Sequence, residues 1–517
     1  RLDSSAASDV YKSQGERRDR GRRPGQGVRS ATGCLAARPT SDFLLFRPDH
    51  EMNIDMINPL LRCRFADRAV LPLNRKSAAG RTRFGGIAAV VLLLALPAVS
   101  LAQEPGDVRI GITYTPGYLP GLVVTPVEST EGLGEVARVA ESILGQDLEF
   151  SDRFEMIEVP GDFQSGSAVN YGLWNQLGAV WLLSSQVSGS ASAPVLRVSL
   201  HDVVFGELKE VKAFSLPAAG SSGFRMAVHR VSDEVVRWAT SEPGMAATRI
   251  VFRRKTEGGE SDIWIVDSDG ENARRLTNDN SIVYSPDLSP DGSHLLYVSY
   301  VNGGPVAYEK NLATGAVQTV SAEEGLNVTP VYSPDGRHIL YARTEGDHTE
   351  LFELQRQPLC CGRRVTYTSV GETLNGGYSP DGRQLVMTSS PLGLPHIYVI
   401  PREGRGDPRI LSRYVYGERG YATSPDWSPR GDRIAYQAWL ESSFQVVTVG
   451  PDGSDRRVLT SRGSNEDPSW APDGRHLVFA STGRRGSGLL ILDTVTGRVR
   501  NLTSGRVDQL PSWSTSL

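Results

Sequence analysis

The chain of 517 residues is too long for one ordinary hydrophobic core, so two or three folding units are the starting expectation. It is 39% hydrophobic and 22% charged, a globular composition, and its 54 glycines and 31 prolines favour many tight turns over long helices. Of its 55 Lys/Arg and 59 Asp/Glu, 17 and 9 precede residue 103; the remaining 38 and 50 leave a net charge of −12, which argues against nucleic acid as a partner.

Residues 1–51 are rich in Arg, Ser and Gly and show no apolar periodicity. They are expected either to be disordered or to lie upstream of a true start at Met52 or Met56, and the second reading is preferred. The whole of 1–74 is assigned to this upstream segment. Arg75, Lys76, Arg81 and Arg83 then precede an apolar run at 87–96, and Ser100 and Ala102 stand at the −3 and −1 positions of a cleavage site. That grammar predicts an export signal over 75–102 and a mature chain from Gln103. A run of this length rises only about 15 Å as a helix, roughly half a bilayer's hydrocarbon core, so it is too short for an anchor. Beyond it the cysteines are Cys360 and Cys361, neighbours that can close only a vicinal pair, which does not staple a fold.

Residues 103–244 mix strand and helix patterns and predict one small α/β domain. Residues 108–113 and 121–127 read as strands. A helix is predicted at 134–145, with Val136, Val139, Ala140, Ile143 and Leu144 on its apolar face. Residues 179–183 read as a buried strand and 195–205 as a half-exposed one. A second helix at 224–241 carries Val228, Val231, Val235 and Trp238. Glu242-Pro243-Gly244 reads as a hinge.

From residue 248 onward the chain repeats. Segments 285–292, 329–336, 375–382, 424–431 and 467–474 share a turn of the type Ser-Pro-Asp-Gly, and 510–514 is a truncated copy. The Ser or Ala before the second Pro stands at 289, 333, 379, 428, 471 and 514, spacings of 44, 46, 49, 43 and 43, the period of a four-stranded propeller blade. In each turn Pro sets φ, Asp accepts hydrogen bonds from the turn backbone and Gly takes the left-handed conformation. The preceding aromatic (Tyr332, Tyr378, Trp427, Trp470, Trp513; Leu288 in the first copy) is a wedge suited to packing between blades. The array opens on a half-unit at 249–254 that lacks the turn and closes on a half-unit that is little else. Those halves make six blades only by sharing one, a closure that removes open sheet edges. The expected fold is mainly β: a six-bladed β-propeller over 248–517, preceded by the small α/β domain.

Chemistry is harder to find. The sequence has no Gly-x-Ser-x-Gly, no Gly-x-x-x-x-Gly-Lys, no His-Glu-x-x-His and no Cys-x-x-Cys, so no catalytic residue, cofactor or metal is assigned. Asp267-Ser-Asp-Gly-Glu-Asn272 invites a calcium reading, but its Gly is fourth rather than sixth, and an ordinary hairpin turn fits better. His294, His338 and His476 recur at one repeat position, and a structural role is favoured over a ring of ligands.

The order of these features resembles the TolB family, the periplasmic propellers of the Tol–Pal system. The resemblance rests on the signal, the α/β domain and the repeats. It also rests on Arg109-Ile-Gly-Ile, Leu122-Val-Val-Thr-Pro-Val, Trp174-Asn-Gln-Leu-Gly-Ala-Val-Trp, Ser232-Asp-Glu-Val, Thr248-Arg-Ile-Val-Phe and the ending Leu510-Pro-Ser-Trp-Ser-Thr-Ser-Leu. It implies a soluble, monomeric periplasmic binding protein, peripheral to the membrane only through its partners, which are the lipoprotein Pal and the inner-membrane protein TolA. The implied role is outer-membrane integrity during division. The main alternative is an exported propeller that binds or cleaves carbohydrate.

In the family a His and a Thr-Glu pair contact Pal; the matching positions here are Leu326 and Leu374-Asn375, so the contact chemistry must differ. Residues just before each repeat's first Pro read as loops entering successive strands, gathered at one polar, partly acidic mouth. Leu326, Thr329, Leu374, Asn375, Thr423, Ser424, Glu466 and Asp467 are therefore the expected Pal surface, with Tyr284 and Ser285 beside them. Val108, Arg109, Ile110, Gly111 and Ile112 are the expected TolA arm, a short strand able to add to a partner's sheet edge by backbone pairing.

Overall fold

The computed structural model describes residues 118–161, 169–368, 370–412, 420–484 and 486–515. The predicted signal at 75–102 and the arm from Val108 to Ile112 lie outside the described residues.

The first part is a mixed sheet under two helices. Strand β1 (Gly121–Val124) pairs in parallel with β3 (Glu155–Ile157) and β4 (Ala179–Ser190), and β2 (Glu128–Ser129) with the far end of β4. Strands β5 (Ala193–Asp202) and β6 (Glu207–Ser215) continue the sheet antiparallel. Helices α1 (Gly134–Phe150) and α3 (Phe224–Thr240) cover one face through Val136, Ala140, Ile143, Leu144, Val228, Val231 and Val235, packed on Leu122, Leu183, Val198 and Leu200. The short α2 (Tyr171–Gln176) seats Trp174 on the other face.

Three details depart from the pattern reading. Val139 is 37% exposed, because the apolar stripe runs through Val136, Ala140, Ile143 and Leu144 and leaves it at the solvent side. Helix α1 runs to Phe150 rather than to 145, because Asp147 and Leu148 are themselves buried. Strand β6 was invisible to periodicity: nearly all its side chains are exposed, and backbone pairing to β5 alone makes it a strand.

The second part is the propeller: six antiparallel sheets of four strands each. The innermost strands of the first five blades are Val283–Leu288, Asn327–Tyr332, Thr373–Tyr378, Ala422–Trp427 and Ser464–Trp470. The closing blade takes its innermost strand, Asp508–Trp513, from the chain's last residues and its other three from 249–275. Each innermost strand touches the next around a complete cycle. The sharing of one blade by the two half-units is therefore met, and every sheet has its inner edge covered.

The turns behave as expected. In the first, Gly292 N donates to Ser289 O at 2.7 Å, and Asp291 accepts from Ser289 Oγ, Ser293 N and Ser293 Oγ. Those hydrogen bonds hold the Asp291 carboxyl down at about 2. The wedge aromatics are buried, and the two tyrosines are tied by their hydroxyls to the blade before: Tyr332 Oη donates to Glu309 at 2.7 Å and Tyr378 Oη to Glu353 at 2.8 Å. Arg356 and Arg402 complete the two ion pairs at 2.6 and 2.7 Å.

Candidate functional site

Strand direction assigns every loop to one of two mouths. Innermost strands run from one mouth toward the Ser-Pro-Asp-Gly turns at the other. The turn mouth is where the α/β part sits: Arg430, Asp473, Arg475, Arg498 and Asp269, all on turns of that end, contact the segment after α1, α3 or the connector that follows α3. Among the described residues none of these contacts reaches the entry mouth, the mouth at which sequence reasoning placed the partner surface.

The predicted positions divide between rim and wall. Leu326 lies at the entry, where it packs with Leu374 against the cluster of Leu340, Leu351 and Met387. Ser285, Thr329, Asn375, Ser424, Asp467 and Leu510 are not in loops. Each is inside its innermost strand with φ near +50°, at a point where the pairing register shifts. The residue before the first Pro is thus a β-bulge and not a turn, a correction to the loop reading. Pro has no N–H to lose to the ladder, so it tolerates the bulge. In the third blade Gly376 replaces it, where a Cβ would stand 2.6 Å from Leu340 Cδ2.

Asp467 is consequently structural rather than a free rim charge. It accepts Ser424 Oγ at 2.9 Å while its own N–H donates to Gln437 at 2.7 Å. Burial, then the charge of Glu466, pushes its carboxyl up to about 6. Arg253 stands close enough to oppose that, and burial lowers the guanidinium's own value.

Two residues further along, the sequence reading missed a set of hydrogen bonds that stitches four of the six blade junctions. Asp287 accepts Tyr332 N at 2.8 Å and Ser512 Oγ at 2.9 Å, Asp426 accepts Trp470 N at 2.7 Å, and Ser469 Oγ accepts Trp513 N at 3.1 Å. Burial lifts Asp287 to about 7 and Asp426 to about 6. The signal was present as Asp in two copies at one repeat position, but only the closed ring shows what it bonds.

The free rim is mixed: exposed apolar side chains stand beside polar and acidic ones such as Glu323, Glu324, Asp347 and Glu441. Among the described residues of the propeller, seven of the eleven exposed large apolar side chains, Ile282, Val301, Tyr367, Val370, Leu392, Trp439 and Val507, lie at this mouth; Val317, Val458, Val495 and Val499 lie on outer strands or at the turn mouth. Tyr367 is 72% and Val370 61% exposed. The Trp439 ring meets Phe444 edge-on at 5.0 Å, and Tyr421 meets it at 5.6 Å. The sequence reading had counted only the loops entering the innermost strands; the turns joining second and third strands end at the same mouth.

Other candidates resolve as structure. The Asp267–Asn272 segment is a hairpin turn, Gly270 N donating to Asp267 O at 2.9 Å, with Asp267 pairing to Arg249 and Asn272. His396 and Ser412 lie 2.9 Å apart and buried. Ser412 Oγ also accepts Ile397 N, as Thr277, Thr366, Thr460 and Thr503 accept the matching amides of other blades, so it is a repeat position and not a nucleophile. Two carboxylate–histidine groups, Asp147/His229/Asp269 and Asp152/His476/Asp493, are compact enough for a cation. However, Asp147 and Asp269 face opposite nitrogens of His229, and Arg225, Arg475 and Arg498 already pair with the carboxylates. A single ion cannot bind both edges of the His229 imidazole, and in the second group Arg475 and Arg498 neutralise Asp493 and Asp152, so both are ion-pair clusters. Cys360 and Cys361 form a disulfide at the start of an outer strand.

Comparison with known proteins follows the same division of the chain. The family described as "TolB beta propeller domain" matches residues 237–517, and that described as "TolB amino-terminal domain" matches 109–208. The Tol-Pal system protein TolB of Gluconobacter oxydans is 28% identical over 459 residues, covering 85% of this chain and 96% of that protein. The Tol-Pal system protein TolB of Bordetella pertussis is 30% identical over 336 residues, 64% of this chain and 74% of that protein. The crystal structure of TolB from Acinetobacter baumannii superposes with a TM-score of 0.68 at 24% identity, over 77% of this chain and 98% of that one, a likeness of fold.

Proposed function

The chain belongs to the TolB family, and from that premise we propose that it is a non-catalytic, periplasmic component of the Tol–Pal system. In this reading it links the lipoprotein Pal to TolA, supporting outer-membrane integrity during cell division, and works as a monomer that meets the membrane only through its partners. The α/β part at 103–244 and the propeller at 248–517 divide the labour. No helix among the described residues is long and apolar enough to cross a membrane.

The observation that carries the Pal half is the group of exposed apolar side chains at the mouth facing away from the α/β part. It supplies the desolvated anchors that a protein interface needs, and the bulged strands beneath it hold the rim rigid. Leu326, Leu374, Thr423 and Glu466 border that rim. Thr329, Asn375, Ser424 and Asp467 shape it from the wall. For TolA the proposed contact is the arm Val108, Arg109, Ile110, Gly111 and Ile112, pairing by its backbone with a partner's sheet edge.

Titration of the exported chain with the soluble domain of Pal, and separately with TolA, tests both halves. Removal of 103–109 is expected to abolish TolA binding and spare Pal binding. Equal loss of both, or no Pal binding by the intact chain, would sink the reading.

A further inference from the structure

The contact between the α/β part and the propeller is built on two buried histidines that mirror each other. His229, on α3, is fully buried; its Nδ1 lies 2.8 Å from Asp147 on α1 and its Nε2 lies 3.6 Å from Asp269 on a propeller turn. His476, in the fifth blade, is equally buried; its Nδ1 lies 2.6 Å from Asp473 on its own turn and its Nε2 lies 3.3 Å from Asp152, just beyond α1. Each imidazole therefore bridges a carboxylate of the α/β part and a carboxylate of the propeller. One histidine is contributed by each part. Asp147 and Asp152 stand at the same end of α1.

We propose that this contact is a proton-dependent latch: the imidazolium ions of His229 and His476 hold the α/β part on the propeller, and loss of their protons in alkaline solution frees it to move. A neutral imidazole can donate at only one nitrogen, so it cannot satisfy two flanking carboxylates. Deprotonation leaves one carboxylate at each bridge facing a lone pair across the contact.

The remaining charges define what the latch works against. Around His229 stand Ser232, which donates to Asp147 at 2.6 Å, Arg225, which pairs with Asp269, and Asp233 and Arg500 a little further away. Around His476 stand Arg475, paired with Asp493 and donating to the Asp152 carbonyl, Arg498 at 3.1 Å from Asp152, and Arg153 at 3.8 Å from Asp473. Burial alone would lower both imidazoles, but the facing carboxylates more than offset it and both are raised above 6.5. The sign is therefore fixed. The stabilisation is complete below the unfolded-state value and is lost as pH rises through the higher folded-state value.

A donor–acceptor pair introduced as unnatural amino acids at Val139 and Val458, both exposed, reads the separation of the two parts in the full chain. Energy transfer is expected to fall as pH rises above the ordinary imidazole range, with circular dichroism unchanged. H229Q/H476Q is expected to show the low-transfer state already at the acid end, with no pH dependence left. Each single variant should retain part of it, which keeps the test open if the double variant fails to fold. Flat transfer in the unmodified chain, high transfer in folded H229Q/H476Q, or a fall that coincides with loss of the sheet signal would each overturn the proposal.

Discussion

The carboxylate of Asp287 in the first blade accepts the backbone N–H of Tyr332 in the second at 2.8 Å, and does so from a position where burial has lifted its titration to about 7. A carboxyl that joins two blades while resisting ionisation ties the rigidity of the ring to pH. Asp426, in the blade opposite, does the same for Trp470.

The first prediction is the pH profile of that bond. The folded value is raised above the ordinary 3.8, so the native state holds a proton the unfolded chain has released, and the group's favourable contribution is lost as pH climbs from about 4 to about 7. Asp287→Asn keeps an acceptor for Tyr332 N without the charge. Its melting temperature, relative to the unmodified chain, is expected to rise steadily across that interval; parallel melting curves at every pH would contradict it. Asp287→Ala, which orphans the N–H, is expected to cost about 1–3 kcal/mol at any pH.

Closure is tested at Trp513. This ring is buried in the closing blade and its Nε1 donates to Thr248 Oγ1 at 2.7 Å, joining the last strand to the first. Trp513→Ala is expected to cost about 3–5 kcal/mol by equilibrium denaturation, and deletion of 511–517 at least as much, since it also reopens the inner edge of a sheet. A truncated chain melting with the intact one would refute the shared blade.

At the entry mouth, rim and wall should respond differently. Tyr367→Ala with Leu392→Asp removes an exposed ring and charges an exposed apolar position. Pal affinity should drop at least tenfold, or about 1.4 kcal/mol, with stability changed by no more than ~0.5 kcal/mol. Asp467→Arg should instead destabilise the fold, because it replaces a carboxylate bonded to Ser424 inside a bulge. Isothermal titration and thermal melts on the same samples separate the two outcomes. A rim variant with unaltered affinity would move the Pal surface elsewhere.

The connector between the two parts is tested at Gly244. A Cβ there would lie 2.1 Å from Asp233 Oδ1 and 2.8 Å from its Cα, so side-chain rotation cannot relieve the clash. Asp233 meanwhile accepts Ala246 N at 2.8 Å and Ala247 N at 2.9 Å. Gly244→Ala is expected to cost about 1–3 kcal/mol and to open the connector to proteolysis. Unchanged cleavage and melting would mean the segment is the free hinge its Glu-Pro-Gly composition suggested.

Local chemistry with a fixed spacing was legible in the sequence. Ser-Pro-Asp-Gly and its variants at a period of 43 to 49 residues specify a turn by φ preference alone, and five copies with complementary half-units leave ring closure as the consistent arrangement. The aromatic wedge and the helix faces followed from the same kind of short-range rule, apart from Val139 at the margin of its stripe. What depends on partners distant in sequence was not legible. The positive φ of Asp467 and its companions arises from a register shift against the neighbouring strand, and nothing in a Pro-containing tetrapeptide distinguishes a bulge from a loop. The apolar side chains of the rim are single, unremarkable hydrophobics in the linear chain, and only the common strand direction brings them to one mouth. His476 read as one of three repeat histidines; Asp152, which gives it its second carboxylate, lies 324 residues away, and tertiary packing alone could set that pairing because ion pairs are decided by distance in space and burial, not by order along the chain.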